Sequence, residues 1–454
     1  MTSTSTVPTP GAAPEKQGGL RDLRKVFGRG QSTARQFGIL GSLIVIIVLF
    51  QILTNGLTLS PTNLINVVQQ YSYILILAIG MVMVIIMGHI DLSVGSVAAF
   101  TGIVVAKSMA DWNLPWPLAI VLGLVVGALI GAWQGFWVAY IGVPAFIVTL
   151  AGMLIFRGAN QVVGQSTTIP VPPDFGKIGA GYLPELAVPL PFNVLTMLVG
   201  LLGVAWIVVN EILLRRRQKR TGAASAPMWV SIVKVVVISA IILFAAWLFA
   251  TGRPGTSFPI SGLILVGLVI IYSFITNNTT FGLRIYAVGG NRVAATLSGV
   301  KDRRIDFFVM MNMSVLAALA GMIFVARSTA SGPQDGNGWE LDAIAAVFIG
   351  GAAVSGGIGT VIGSIIGGLV MAFLNNGLQL LGVGADYVSI IKGLVLLVAV
   401  GVDVLSKSTG RASILGVMSA RRNARRGTPS EEPPAVIPSA GTNETSQPAD
   451  LTRN

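Results

Sequence analysis

The chain contains no cysteine and a single histidine, His89. Without thiols it has neither a disulfide framework nor a thiolate metal site, and one imidazole excludes a histidine-rich metal centre. Charge is scarce as well: 11% of the 454 residues are Asp, Glu, Lys or Arg. A soluble surface carries roughly 25–35% charged residues, so this chain has too little charge to cover one. Acidic residues are the rarer sign, 18 against 30 Lys and Arg, for a net charge of +12. Such an excess raises nucleic acid as a partner, but these cations sit in the tails and in particular loops, which argues against nucleic acid. There is no Gly-x-x-x-x-Gly-Lys-Ser/Thr phosphate loop, and the glycine-rich stretch Gly359 to Gly367 lacks a lysine, so the chain cannot hold ATP in that way. No nucleophile–base pair or metal cluster points to an intramembrane enzyme.

What fills the chain instead is apolar sequence, 53% of residues, with a mean hydropathy of +0.78. Hydrophobic runs fall at about 37–55, 67–88, 94–110, 116–135, 143–163, 192–214, 228–250, 258–276, 307–326, 342–358, 360–382 and 386–405. Each approaches the roughly 20 residues that cross a bilayer. The flanks, 1–36 and 406–454, are polar; the first carries Lys16, Arg21, Arg24, Lys25, Arg29 and Arg35, the second Arg421, Arg422, Arg425 and Arg426. Both read as disordered tails, and the first is too long, and lacks the cleavage site, for a signal peptide. Positive flanks mark the cytoplasmic side, so both termini are expected inside and the number of spans even. The basic run Arg215, Arg216, Arg217, Lys219 and Arg220 and the loop 277–306 then also fall inside; loops 164–191 and 327–341 fall outside. The glycine-rich stretch 350–359 is where a helix is able to break.

Gly123, Gly127 and Gly131 recur at a spacing of four, as do Gly359, Gly363 and Gly367, and Gly142–Val148 echoes Gly382–Val388 downstream. An acidic residue at a span entrance, Asp91 or Asp342, precedes each copy. The copies cross in opposite directions, the pattern of an inverted repeat. The repeats are expected at 37–163 and 258–405, with 192–250 an inserted span pair. Glycine at such spacing also simply lets helices pack closely.

Ionised residues near mid-span cost roughly 2.5–3.5 kcal/mol on insertion scales, so each needs a reason. Asp91, followed by Leu92 and Ser93, is placed to cap the third span, and capping does not exclude lining a path. Asp342 mirrors it as a cap of the tenth span. His89 reads as interfacial. Lys392 needs a partner: Asp386, or an acid on another span. Arg157 has a carboxylate or a backbone carbonyl open to it. Asn375, Asn376 and Gln379 lie mid-span; Asn376 and Gln379 share a helical face, and buried amides there bridge helices or line a path. Residues 277–306 form a basic, Gly-punctuated loop in which Asn291 can cap a short helix ending near Gly299. An exposed helix there offers a partner something to grip.

Four segments carry a family resemblance: Gly88-His89-Ile90-Asp91-Leu92-Ser93-Val94-Gly95-Ser96; Pro144–Leu150 with Arg157-Gly158; Tyr286–Asn291 running to Leu297-Ser298-Gly299; and Glu340–Gly351. Together they resemble the membrane permeases of bacterial ABC monosaccharide importers, the ribose/xylose/galactose group, over about 37–405. The inserted pair and Gly-His before Ile90-Asp91 look most similar to the xylose and multiple-monosaccharide branch. The resemblance implies an all-α polytopic fold of about 12 transmembrane helices of the vitamin B12 permease type, in the bacterial inner membrane. It implies a homodimer, a separate ABC ATPase holding ATP and Mg, an outer-side sugar-binding protein, and a neutral monosaccharide moved by alternating access, with no cofactor on this chain. By the same resemblance Gly289, Gly290, Asn291, Arg292, Ala294 and Leu297 dock on the ATPase. Asp91, Ser93, Asn375, Asn376 and Gln379 are candidates for the sugar path, and Glu340 and Asp342 for the outer gate or binding-protein contact. The rivals are another cargo in the same fold (autoinducer-2, a nucleoside, a branched-chain amino acid) and an ion-coupled secondary transporter using Asp91, Asp386, Lys392 and Asp403.

Overall fold

The computed structural model describes residues 31–186, 191–221, 228–252 and 256–408; most of the two expected tails lies outside them. The described residues form helices α1 (Gln31–Leu53), α2 (Pro61–Ile86), α3 (Val94–Trp112), α4 (Trp116–Phe136, continued by a π-helical turn Trp137–Ile141), α5 (Ala145–Gly164), α6 (Pro173–Ala180), α7 (Val194–Thr221), α8 (Met228–Ala250), α9 (Ile260–Asn278), α10 (Thr280–Gly290), α11 (Arg292–Leu297), α12 (Asp302–Ser328), α13 (Trp339–Ile349), α14 (Val361–Leu380) and α15 (Ala385–Ser408). Two short strands, β1 (Ile169–Pro170) and β2 (Ala330–Ser331), pair antiparallel. Residues up to Val402 form one compact unit; the second unit, 403–454, contributes only the end of α15 to the described residues.

Nine of these helices, α2 to α5, α7 to α9, α12 and α14, are long and apolar enough to cross a membrane. Local chemistry sets their ends. Proline opens α2 at Pro61, where its missing N–H costs nothing. The Thr360 hydroxyl accepts from the Gly363 N–H to cap α14. Asn113 and Gln165 turn left-handed to close α3 and α5.

The buried core is built around α12, which packs on α2, α3 and α4. Gly321 makes its crossing with α3 possible, since a Cβ there would lie 2.0 Å from the Ala98 carbonyl oxygen. Rings of Tyr73, Phe324 and Trp339, with centroids 4.4–5.1 Å apart, tie α2, α12 and α13 together. Both glycine ladders are packing faces. Gly127 and Gly131 take Ala318, Ser314 and Met311 of α12 against α4, while Gly363 and Gly367 take Gly350 and Ala346 against α14.

One expected span, 342–358, is not a continuous helix, whereas 94–110 lies wholly within α3. Residues 87–93 run without helix before α3, and α13 stops at Ile349, leaving 350–360 without helix before α14. The glycine-rich 350–359 therefore breaks its span. Loops assigned to the same side also meet. Ile169 pairs with Ser331, and the Gly357 N–H donates to the Ile86 carbonyl at 2.8 Å, beside Gly289. These junctions lie at opposite ends of α12, whose 27 residues span about 40 Å at 1.5 Å per residue.

Candidate functional site

The loop 277–306 folds as two helices. The Thr279 hydroxyl accepts from the Gly282 N–H at 3.2 Å and starts α10. Asn291 ends α10 and caps α11, its carboxamide oxygen accepting from the Ala294 N–H at 2.9 Å. Gly299, at φ +85°, turns the chain away after α11. The short helix expected from Asn291 is present; α10 in front of it was not anticipated. On α11, Leu297 is 84% and Val293 69% exposed, while Ala295 is buried. Gly290, Asn291 and Ala294 are exposed as well.

Arg292 does not share that outward face. Its guanidinium forks onto Asp306 at 2.6 and 2.9 Å and reaches Asp302 at 3.2 Å. His89 joins them, its Nε2 2.9 Å from Asp306 Oδ1 and 3.3 Å from the Arg292 guanidinium. These hydrogen bonds, with Asp306 foremost, hold the Arg292 pKa above its ordinary value. His89, expected at the interface, is thus part of a charged cluster. Gly289 is turned inward too, because a Cβ there would lie 1.8 Å from the Ile86 carbonyl oxygen. The cluster and the 142–146 turn line a cavity of about 460 Å³.

Beyond the cluster the unwound segment leads to Asp91. Asp91 is not the cap of α3; Ser93 holds that position. The Asp91 carboxylate instead fixes Ser93, accepting from its N–H at 2.8 Å and its hydroxyl at 2.6 Å, and Gln134 Nε2 donates to the Ser93 hydroxyl at 2.8 Å. Asp91 Oδ2, Gln134 Oε1 and Glu340 Oε2 are buried without a hydrogen-bond partner. Three acceptors without donors suit hydroxyl or water hydrogens.

The other candidates separate. Glu340 was expected to face an outer partner; it is buried, 3.6 Å from Arg157. Asp342 was expected as a cap; the N-cap of α13 is Gly338, and Asp342 pairs with Lys392 at 2.9 Å. Lys392 thus finds its acid on another helix and not in Asp386. Asn376 exchanges two hydrogen bonds with Asn63 on α2, at 2.8 and 3.0 Å, so it bridges helices. Asn375 is buried beside it, and Gln379 lies exposed in the last turn of α14. Asp403 carries no described side chain. Among the described residues no group of three or more His, Asp or Glu is placed to hold a metal ion.

Sequence reasoning missed Asp302, Asp306, Gln134 and Asn63. Asp302 and Asp306 had a signal, since i and i+4 share a helix face. Gln134 and Asn63 had none, because their partners lie on other helices.

Residues 63–400 match the family described as branched-chain amino acid transport system / permease component. The chain belongs to that family. It is 39% identical over 367 residues to the xylose transport system permease protein of Haemophilus influenzae, covering 81% of this chain and 95% of that protein. It is 39% identical over 372 residues to the Escherichia coli counterpart, covering 82% and 92%. The ribose import permease of Escherichia coli is 36% identical over 368 residues, covering 80% and 92%. These relatives are of the kind that the four segments resemble. No solved structure matches the chain.

Proposed function

We propose that this chain is the membrane permease of an ATP-driven importer of a neutral monosaccharide, xylose or a similar pentose or hexose. The observation that carries it is α11: a capped helix between apolar helices, with Leu297 and Val293 bare to solvent, in a chain similar to xylose and ribose permeases. An apolar pair on a polar connection is a surface for another protein. A separate ABC ATPase would grip α11 through Gly290, Asn291, Ala294 and Leu297, while Gly289 and Arg292 pass the motion inward.

The rest of the architecture supports the same reading. Twelve crossings, with both termini cytoplasmic, accommodate the nine long helices together with α1, α15 and the interrupted span at α13. The glycine ladders of α4 and α14 fit an inverted repeat of the vitamin B12 permease type, and α7–α8 fits an inserted pair. A homodimer would enclose the path, an outer-side binding protein would deliver sugar, and alternating access would move it. Asp91, Ser93 and Asn375 remain path candidates, now with Gln134. The family's description keeps a branched-chain amino acid as the alternative cargo.

Affinity purification from native membrane followed by mass spectrometry tests this. An ABC ATPase and a sugar-binding protein should co-purify, and the latter's bound ligand names the cargo. Transport by the purified chain alone down an ion gradient, with no ATPase bound, would replace the reading with a secondary transporter.

A further inference from the structure

We infer that Arg292, Asp306 and His89 form a strut that carries displacement of the exposed helix α11 to the unwound segment 87–93, which makes them positioning residues for transport. The inference rests on the reading of α11 as the ATPase contact.

Arg292 is the first residue of α11, so fixing its guanidinium fixes the helix. The two parallel bonds to Asp306, at 2.6 and 2.9 Å, make a planar fork that resists rotation as well as translation. Asp306 is 3% exposed, in the second turn of α12. Breaking the fork would leave a buried carboxylate short of donors, so the contact holds while neighbouring parts move. His89 completes the path. It contacts Asp306 at 2.9 Å and lies two residues before Asp91, whose carboxylate sets Ser93 and, through it, Gln134. A second contact runs beside the first, where Gly289 seats α10 on the Ile86 carbonyl at the end of α2. Helices α10 and α11 thus grip residues 86 and 89 together. The cavity of about 460 Å³ next to Arg292 and His89 leaves room for the cluster to shift as one body.

A brace that only holds the loop would alter stability alone. A strut alters how much sugar moves for each ATP spent, and that ratio separates the two. The tagged native assembly is reconstituted in liposomes, and xylose uptake and ATP hydrolysis are measured on the same vesicles. Arg292→Lys keeps the charge and loses the fork; His89→Ala removes the link; His89→Gln keeps a polar nitrogen near Asp306. With ATPase still bound, Arg292→Lys and His89→Ala should each lower xylose moved per ATP by at least about fivefold, the lower end of ordinary coupling factors. His89→Gln should restore most of the loss. The Arg292→Lys/His89→Ala double variant should be no worse than the poorer single, because both cut one path. Single variants within about twofold of wild type, or losses that multiply in the double variant, would overturn the strut. Asp306→Asn is the harsher variant; if it fails to fold, Arg292→Lys, which leaves no charge unpaired, decides alone. A wild-type assembly that binds no ATPase would remove the functional reading and the strut with it; one that couples normally while the variants do too removes only the strut.

Discussion

Helix α2 and the α7–α8 pair are all apolar enough to cross a bilayer, yet 83% of the α2 window is buried inside the protein and 6% of each window in α7 and α8. The difference lies in the minority residues. Helix α2 carries Asn63, Tyr71, Ser72 and Gly80 on its buried surface, groups that pack closely or need a protein partner. Helices α7 and α8 present Leu202, Trp206, Val236 and Ile241 outward and meet each other through Gly200 against Ala246. Their Glu211–Lys234 pair, at 3.0 Å, is also internal to the hairpin. Hydropathy reports that a helix can enter a membrane. Polar and small residues report whether it then faces lipid or protein.

Substitutions sharpen that contrast. Gly321→Leu should abolish the folded protein, because a Cβ there meets the Ala98 backbone at 2.0 Å and backbone cannot swing aside; the monodisperse peak in size-exclusion chromatography should vanish. Gly203→Leu on α7, whose nearest neighbour is an Ile242 methyl at 3.6 Å, should leave that peak intact, and its loss would break the comparison. Leu297→Asp should reduce uptake to background and release the ATPase while thermal unfolding of the permease is unchanged. Normal recruitment would return α11 to a plain connector.

Smaller effects follow. Asn376→Leu should cost about 1–3 kcal/mol in reversible unfolding, since it leaves the buried Asn63 Oδ1 without its donor, and the double variant with Asn63→Leu should regain part of it. Uptake impaired beyond that destabilisation would put Asn376 on the sugar path. Leu202→Ala, 61% exposed, should change stability by less than about 0.5 kcal/mol.

Much of the fold was legible because membrane helices are written in local runs and punctuated by local caps. Asn291 and Gly299 bracketed α11 in sequence, and the structure keeps both roles. The glycine spacing marked two packing faces, though not their partners. The site was legible only where partners are near in sequence. Asp342 with Lys392 and Asn63 with Asn376 are separated by 50 and 313 residues, and nothing local announces them. Arg292 misled although its partners lie only 10 and 14 residues away. Its position on an exposed basic loop suggested an outward cation, while two carboxylates on the next helix turn it inward. Glu340 and Asp342 looked like a surface pair at a span entrance until burial placed them among cations from α5 and α15.

The two neighbouring glycines at the end of α10 look interchangeable on paper. At 289 a single added carbon would collide with the Ile86 carbonyl, whereas at 290 nothing lies within 4 Å. Since the chain has no cysteine of its own, Gly290→Cys would supply one uniquely reactive thiol, one residue from the seat on α2. A spin label or fluorophore attached there could watch that junction respond to nucleotide in real time, in a protein that needs no background mutations before it is labelled.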